Sequence, residues 1–286
     1  MDLASTISDI RKHKGLSISE LTQDIISTST FGRYITGTTD LHSQSFIEIL
    51  NRLHITLPEL EFIANNYSNN EEKEFMTKIM LSFTNQDIDY LSYLKTTCKQ
   101  KLGSHNSFYD HMLGLIDILI ARLDHKEIDI SDNPLYKYLI RTETWTRYEL
   151  VLFSDSLIFW PPETVITILK RAITTVSKLD KLNPYGLESF RLISNAITSL
   201  IFHHDYKNAL YFIEILEQYQ LRDDFIYEKL FLKLFTGFKL AILKKDAQVY
   251  QSYFDDCLAV IKILNLPTLQ ASFEAAIKDI KLAISK

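Results

Sequence analysis

Residues 17–37 read SISELTQDIISTSTFGRYITG and contain two short helical segments separated by a few polar residues. The first segment opens on Ser17 with Glu20 three residues later, which is the spacing of a capping box. The second ends at Gly37, a residue type that readily adopts the left-handed conformation in which many helices stop. The stretch therefore predicts two helices of two to three turns, joined by a tight turn.

Further short helices are predicted on both sides of this pair. Towards the N-terminus, apolar residues repeat at helical spacing until a stop at Gly15. Towards the C-terminus, one helix is expected from about Ser43 and another from a capping box formed by Thr56 and Glu59. Five short helices, two of them joined by a tight turn, predict a helix-turn-helix domain of the five-helix, XRE-like type over residues 1–66.

The remaining residues, 67–286, read as longer helices with short connections. Only 7 Gly and 6 Pro occur in 286 residues, which is too few for the closely spaced turns of an all-β protein. The chain is therefore expected to be all-α, and short connections require neighbouring helices to lie antiparallel. The approximate predicted helices are 70–83, 86–101, 106–123, 134–142, 145–160, 162–180, 185–203, 206–221, 223–244, 247–264 and 267–284.

A weak repeat of about 40 residues runs through this second part of the chain. A shift of 40 places Asn195 on Asp155, and a shift of 41 in the other direction places Asn195 on Thr236. A unit of two antiparallel helices with this length is typical of tetratricopeptide-like α-solenoids. We therefore expect residues 67–286 to form an α-solenoid of tetratricopeptide-like helical hairpins, with these polar positions facing a groove.

The overall composition excludes several classes of protein. Lys and Arg number 31 against 36 Asp and Glu, so any contact with nucleic acid must come from a local patch. No run approaches the roughly 18 apolar residues of a membrane span, and the N-terminus does not read as a secretory signal. The two cysteines, Cys98 and Cys257, suit a reducing compartment. We expect a cytoplasmic protein without a membrane partner.

Motifs for catalysis or cofactor binding are absent from the sequence. It contains no Gly-rich phosphate loop, no paired-cysteine motif, no His-Glu-x-x-His and no nucleophile elbow. The densest titratable cluster is His203-His204-Asp205, whose neighbouring side chains point about 100° apart on a helix and do not suit a shared metal. We therefore expect no enzyme activity, no cofactor and no metal site.

The second helix of the short pair is predicted to present one face to DNA. An inward apolar stripe of Phe31, Tyr34 and Ile35 leaves hydroxyl residues and Arg33 on the outer face, without any acid. An arginine in this position can bond guanine through two hydrogen bonds. Basic residues at the end of the first helix suit phosphate contacts. The predicted DNA-contacting residues are Arg11, Lys12, Lys14, Ser27, Thr28, Ser29 and Arg33.

The charge of residues 1–66 opposes strong binding by a single copy. Five basic side chains accompany eight acidic ones, so non-specific affinity for DNA is expected to be weak. A homodimer would be needed to gather enough phosphate contacts. The alternative, from another functional class, is a helical-repeat scaffold that uses its N-terminal bundle for protein contacts and does not bind DNA.

Six segments of the sequence match the pattern of a known family. They are IRKHKG at 10–15, STSTFGRYITG at 27–37, FIEILNRL at 46–53, YELVLF at 148–153, Asn195-Ala196 and YEK at 227–229. On these segments, and over essentially its whole length, the sequence resembles the Rgg/MutR/GadR group of Gram-positive transcriptional regulators. The resemblance implies a relative of the cytoplasmic receptors for short peptide pheromones, with Thr28, Ser29 and Arg33 at base-reading positions.

Two positions depart from the pattern of such helix-turn-helix domains. Ile35 stands where the group usually has a Glu that pairs with the arginine matching Arg11. Ile18 stands where the group favours a Gln that contacts phosphate. The first departure is expected to free Arg11 for phosphate, and the second removes one phosphate contact.

The resemblance also implies a groove in which an asparagine bonds the backbone of a bound peptide, and Asn195 fits that role. The alternatives are a buried cap or an inter-helix hydrogen bond for Asn195, and core packing for the aromatic residues nearby. Arg191, Asn195, Thr198 and Phe202 fall on one helical stripe. The full predicted ligand-binding set is Trp145, Arg147, Phe153, Arg191, Asn195, Thr198 and Phe202.

These observations combine into one hypothesis. The protein is expected to be a homodimeric, sequence-specific regulator that binds double-stranded promoter DNA. Its helical repeats would dimerise and sense a short peptide or a small hydrophobic ligand.

Overall fold

A computed structural model describes residues 2–102, 107–179, 187–244 and 246–284. Within those ranges every regular element is helical, which confirms the predicted all-α class. The chain divides into two compact units, residues 1–81 and 82–286. The division falls inside α6 (Glu71–Thr84), whereas the predicted boundary at residue 66 lies in the connection that precedes this helix.

The first unit contains the five short helices expected from the sequence. Both predicted capping boxes are present, at the starts of the second and fifth helices. Gly15 and Gly37 follow the first and third helices with φ angles of +71° and +69°, a conformation that suits glycine. The five helices are α1 (Leu3–His13), α2 (Ile18–Thr22), α3 (Thr28–Ile35), α4 (Ser43–Arg52) and α5 (Leu57–Ala64).

A small apolar core holds these five helices together. Ile7, Leu21, Phe31, Ile49 and Leu60 come from one helix each and are all completely buried. Because every helix contributes an anchor, α3 is held rigidly against the others with one face turned outward. The unit is the predicted five-helix helix-turn-helix arrangement.

The second unit is built from longer helices. They are α7 (Ile88–Lys101), α8 (Phe108–Leu123), α9 (Pro134–Arg141), α10 (Arg147–Ser156), α11 (Pro162–Leu179), α12 (Glu188–Phe202), α13 (Tyr206–Leu216), α14 (Ile226–Lys244), α15 (Ala247–Ile263) and α16 (Pro267–Ile284). The helix predicted over 145–160 ends earlier, at Ser156, and is followed by a 3₁₀ turn over Leu157–Phe159. Trp160 is extended because it precedes Pro161, and a residue before proline disfavours helical geometry.

Hydrogen bonds from α12 to α10 and to the 3₁₀ turn after α10 define the register of the repeat. Asn195 Nδ2 donates to Ser154 Oγ at 2.7 Å, across 41 residues. Further along, Ser199 Oγ donates to the Leu157 carbonyl at 3.2 Å, across 42 residues. The two helices therefore run parallel, one repeat apart. Asn195 is paired with Ser154, one residue before the Asp155 that a shift of 40 had placed opposite it.

Gly114 allows α9 to begin directly against α8. A Cβ atom at this position would lie 2.6 Å from Asn133 Oδ1 and 2.9 Å from the backbone nitrogen of Leu135. Asn133 caps α9, and its Nδ2 donates to the Gly114 carbonyl at 2.9 Å. The added methyl group has no room because backbone atoms cannot move aside as a flexible side chain can.

We therefore expect Gly114→Ala to lower the free energy of unfolding by about 1–3 kcal/mol, the usual cost of overpacking. Urea denaturation followed by circular dichroism measures the change. Gly32→Ala is the control, because a Cβ there meets nothing within 4 Å and alanine favours the helix by up to about 1 kcal/mol. Equal stability of the Gly114→Ala variant and the parent would contradict the close approach of α8 and α9.

Candidate nucleic-acid interface and ligand-binding face

The outer face of α3 is polar and carries no acid. Phe31 is fully buried and Tyr34 nearly so, which confirms the inward stripe. Thr28, Ser29 and Arg33 are exposed. In the part of the chain that the structure describes, the Arg33 guanidinium has no recorded hydrogen bond or ion pair, so its donors are available to a ligand.

Two of the basic residues predicted to contact phosphate are already engaged within the first unit. The Arg11 guanidinium donates to the carbonyl of Leu16, and its Nε is buried. Lys14 Nζ donates to the Leu53 carbonyl at 2.5 Å. Loss of the usual Glu therefore does not leave Arg11 without an internal partner, and its contact with phosphate stays a prediction. With Ile35 in place of that Glu, a backbone carbonyl serves as the acceptor.

Arg52 shows a structural role that the sequence did not reveal. Its Nη1 donates to the carbonyls of Leu21 at 3.2 Å and Gln23 at 2.5 Å, and so satisfies the C-terminal end of α2. Lys12 is exposed, and its Nζ lies 3.0 Å from the Asp9 carboxylate. Among the five Arg and Lys side chains of residues 1–66, Arg33 thus has the fewest contacts within the described residues.

Ser27 begins α3 and is used as its cap. Its hydroxyl oxygen accepts from the Thr30 backbone N–H at 3.1 Å and lies 2.8 Å from Thr30 Oγ1. The side chains of Thr28 and Ser29, in the first turn after the cap, are exposed. The structure thus places hydroxyl groups beside Arg33 on one surface, while Ser27 contributes mainly by fixing the start of the helix.

The predicted stripe on α12 is exposed along its whole length. Arg191, Asn195, Thr198 and Phe202 all reach solvent, and the Phe202 side chain is more than half exposed. The inter-helix bond proposed as the alternative for Asn195 is present, because its Nδ2 donates to Ser154. The amide oxygen of Asn195 has no recorded partner among the described residues, so it is available to accept a hydrogen bond from a ligand.

Two arginines on the same face form ion pairs between successive parallel helices. Arg147 at the start of α10 contacts Glu188 on α12, with Nε and Nη2 both 3.1 Å from Oε1. Arg191 on α12 lies with Nε 3.6 Å from Oε1 of Glu228 on α14. These pairs and the Asn195–Ser154 bond connect three helices along one surface.

Trp145 and Phe153 do not belong to this surface, so their predicted role in ligand binding is wrong. Trp145 is 5% exposed and Phe153 is fully buried. Their rings pack edge to face at 5.0 Å, and Phe153 packs against Trp160 at 4.9 Å. The helical period places Phe153 on the core side of α10, next to a neighbour, Ser154, that faces α12.

A buried polar network lies behind α10 and braces it. His111 Nδ1 is 2.9 Å from the Tyr148 hydroxyl, and its ring stacks on Tyr138 at 3.9 Å. The Tyr138 hydroxyl donates to Glu149, which also accepts from Thr146 at the start of the helix. Burial lowers the pKa of His111, against the opposing effect of nearby carboxylates. The network, which joins α8, α9 and α10, therefore favours the neutral form of His111.

The cluster His203-His204-Asp205 is used for local structure. His203 Nε2 donates to the Ile158 carbonyl at 3.0 Å, and His204 Nδ1 lies 2.8 Å from the Tyr206 hydroxyl. Asp205 caps α13. Within the residues that the structure describes, no three or more His, Cys, Asp or Glu side chains come together as a metal site.

The two cysteines are buried and unpaired. Burial raises the pKa of the Cys98 thiol to about 11, and burial does the same for Cys257. Both are therefore protonated near neutral pH and behave as small core residues.

Comparison with protein families identifies the second unit. Residues 94–275 match the model of the C-terminal domain of the HTH-type transcriptional regulator Rgg, and this match spans more than half of the chain. The chain belongs to the Rgg family. It is therefore a member of a family of helix-turn-helix transcriptional regulators, as the resemblance of its sequence segments implied.

Solved structures share the fold over nearly the full length of this Rgg-family chain. A protein of Listeria monocytogenes EGD-e, described as a transcriptional regulator, has a TM-score of 0.78 at 19% identity and covers 98% of this chain and 97% of its own. The SHP pheromone receptor Rgg2 of Streptococcus dysgalactiae has a TM-score of 0.74 at 21% identity, covering 96% and 98%. The PrgX/iCF10 complex has a TM-score of 0.71 at 19% identity, covering 98% and 96%. At these identities the similarity establishes the fold.

None of the helices described for this Rgg-family chain combines the length and apolar character needed to cross a bilayer. The fold and the family agree with the predicted order of a helix-turn-helix unit followed by tetratricopeptide-like hairpins.

Several residues of the α10–α12–α14 face were not found from the sequence. The partner of Asn195 is Ser154. The acids that pair with Arg147 and Arg191 are Glu188 and Glu228, respectively. The repeat contained a usable signal, because a shift of 41 residues brings both α10–α12 pairs together. The same shift does not bring Arg191 and Glu228 together, because α14 begins at an earlier point of its repeat than α12 does.

Asp155 lies beside this face and is hard to ionise. Burial raises the pKa of Asp155 to about 6 from its usual 3.8; Arg122 opposes this increase and Glu188 adds to it. A pKa that is raised in the folded state means that the folded protein binds the proton more tightly than the unfolded chain. The stability contributed by the protonated form is therefore complete below about pH 3.8 and is lost as the pH rises through 6.

For the Rgg-family chain we expect Asp155→Asn to remove this pH dependence. The variant should gain on the order of 2 kcal/mol in free energy of unfolding over the parent at pH 7.5, and much less at pH 4.5. Urea denaturation of both proteins at the two pH values measures the difference. Exposed Asp132→Asn, on a connecting segment, is the control. A gain of the same size at both pH values would show that Asp155 does not titrate as described.

Proposed function

We propose that this Rgg-family chain is a sequence-specific DNA-binding regulator in which α3 lies in the major groove. The observation that carries the proposal is the acid-free outer face of α3, with an exposed Arg33 that has no internal partner in the described residues. An arginine presented in this way can bond O6 and N7 of guanine together. Thr28 and Ser29 add hydroxyl donors and acceptors beside it.

The charge pattern of the first unit favours a homodimer. Of its five basic residues up to position 66, Arg11, Lys14 and Arg52 donate to backbone carbonyls of the same unit. Few cations remain for phosphates, so a single copy would bind DNA weakly. Two copies on two half-sites double the number of contacts, and helix-turn-helix dimers bind half-sites about one helical turn apart.

The second unit is proposed to sense a short linear peptide through the exposed face of α10 and α12. The free amide oxygen of Asn195 can accept from a peptide N–H, and Phe202 supplies exposed apolar surface on the same stripe. Two similar structures support this class of ligand by their descriptions, one as the SHP pheromone receptor Rgg2 and another as a bacterial peptide pheromone/receptor complex. Binding would bias an existing equilibrium between arrangements of the DNA-binding units.

A salt titration tests the proposal against the scaffold alternative. Full-length protein is mixed with a labelled fragment from upstream of its own gene and with a scrambled fragment, and binding is followed by fluorescence anisotropy. We expect log K to fall linearly with log salt, by a slope of roughly −0.9 per neutralised phosphate, and the native fragment to bind more tightly. Absence of DNA binding, or binding that depends on neither salt nor sequence, would leave the scaffold as the better explanation.

A further inference from the structure

On the α10–α12–α14 face, two arginines are more exposed to solvent than the acids with which they pair. The Arg147 side chain is 71% exposed while its partner Glu188 is 16% exposed. The Arg191 side chain is 51% exposed while its partner Glu228 is 4% exposed. A ligand that approaches this face therefore meets two guanidinium groups first, because the carboxylates lie beneath them.

The hydrogen-bonding capacity of both arginines is only partly used. A guanidinium has five N–H donors in a fixed fork. Arg147 directs Nε and Nη2 at the same oxygen of Glu188, which leaves Nη1 without a recorded partner in the described residues. Arg191 approaches Glu228 through Nε at 3.6 Å, beyond normal hydrogen-bond length, and its guanidinium makes no hydrogen bond within the described part of the chain.

The Arg191 guanidinium and the free amide oxygen of Asn195 belong to residues on one face of α12. Glu188, Arg191 and Asn195 follow one another at i, i+3 and i+7 on α12, so all three share a helix face. Neighbours on such a face have Cβ atoms about 5–6 Å apart. An extended peptide advances about 3.3 Å per residue. A peptide group held at Arg191 therefore places the N–H of the next residue or two within reach of Asn195.

We propose that Arg191 binds a carboxylate group of the ligand. The inference rests on the proposed ligand-sensing role of this face and specifies the chemistry that it recognises. A carboxylate matches the planar fork of a guanidinium and forms the strongest hydrogen bonds available to it. The group comes either from the free C-terminus of a peptide or from an Asp or Glu side chain.

The probe is an equimolar pool of synthetic apolar heptapeptides made in four forms. Each sequence carries a free or an amidated C-terminus, combined with an internal Glu or Gln. Full-length protein is incubated with the pool, and retained peptides are identified by ultrafiltration and mass spectrometry. We expect forms with a carboxylate to be enriched at least tenfold over fully neutral forms. The two single-carboxylate forms show whether the C-terminus or the side chain supplies the group.

Arg191→Gln should abolish this enrichment, and Arg191→Lys should restore part of it because lysine keeps the charge without the fork. Arg141→Gln, which removes an exposed arginine at the end of α9, is the matched control and should keep the preference. Circular dichroism verifies that each variant is folded. Equal retention of charged and neutral forms by the parent overturns the carboxylate inference while leaving peptide sensing intact. If the parent retains no peptide of any form, the proposed sensing role itself is overturned.

Discussion

Replacing Phe153 by alanine is expected to lower the free energy of unfolding by about 3–5 kcal/mol. The ring is completely buried and packs edge to face against Trp145 at 5.0 Å and Trp160 at 4.9 Å. Its removal leaves a cavity and breaks two aromatic contacts at once. Urea denaturation followed by circular dichroism measures the loss.

Phe202→Ala is the matched control for this substitution. It removes the same side chain from α12, where 57% of the residue is already exposed, so the cost in stability should stay below about 1 kcal/mol. The two variants also separate packing from recognition, since Phe202 lies on the proposed ligand face and Phe153 does not. Similar losses from both substitutions would mean that Phe153 is not in the core.

Replacing Arg33 by alanine is expected to weaken binding to the preferred DNA sequence by about 1–3 kcal/mol, or roughly 5- to 150-fold. The loss arises because no neighbouring side chain can replace a two-bond contact to guanine. Binding to the scrambled fragment should change little. Anisotropy titrations at one fixed salt concentration measure both, and circular dichroism verifies that the exposed substitution leaves the helices intact.

Lys12→Ala is the control for the Arg33 experiment. Lys12 is exposed near the end of α1 and pairs with Asp9. Because the first helix of a helix-turn-helix crosses the DNA backbone, we expect Lys12 to contact phosphate rather than base edges. Its loss should weaken binding to all sequences alike and reduce the salt slope by about one. If Arg33→Ala costs less than about 1 kcal/mol in specific binding, α3 is not the reading helix.

Local signals explain why the helix-turn-helix unit was predictable. The capping box at Ser17 and Glu20, the cap at Ser27 and the positive φ at Gly37 each depend on residues within four positions of one another. The stripe of Phe31 and Tyr34 needs only the helical period. Such interactions appear in the sequence as motifs, so both the bounds of α3 and its exposed face could be expected before any coordinates.

Contacts across long stretches of chain were harder to anticipate. Arg11 and Lys14 look available in the sequence, yet each donates to a backbone carbonyl, and the one accepting from Lys14 lies 39 residues away. Trp145 and Phe153 share an aromatic character that suits either a groove or a core. Only the direction of α10 relative to its neighbours assigns them to the core.

The amino-acid order alone thus predicted most of the helices and the capping boxes at Ser17 and Thr56, because these follow from interactions between near neighbours. The helical period also placed the four predicted residues of α12 on one stripe. Only the folded structure shows that Asn195 pairs with Ser154, Arg147 with Glu188 and Arg191 with Glu228. It also shows that Phe153 is buried. Those outcomes depend on how distant helices pack. Burial and pairing are properties of the three-dimensional neighbourhood, which no periodicity along the chain records.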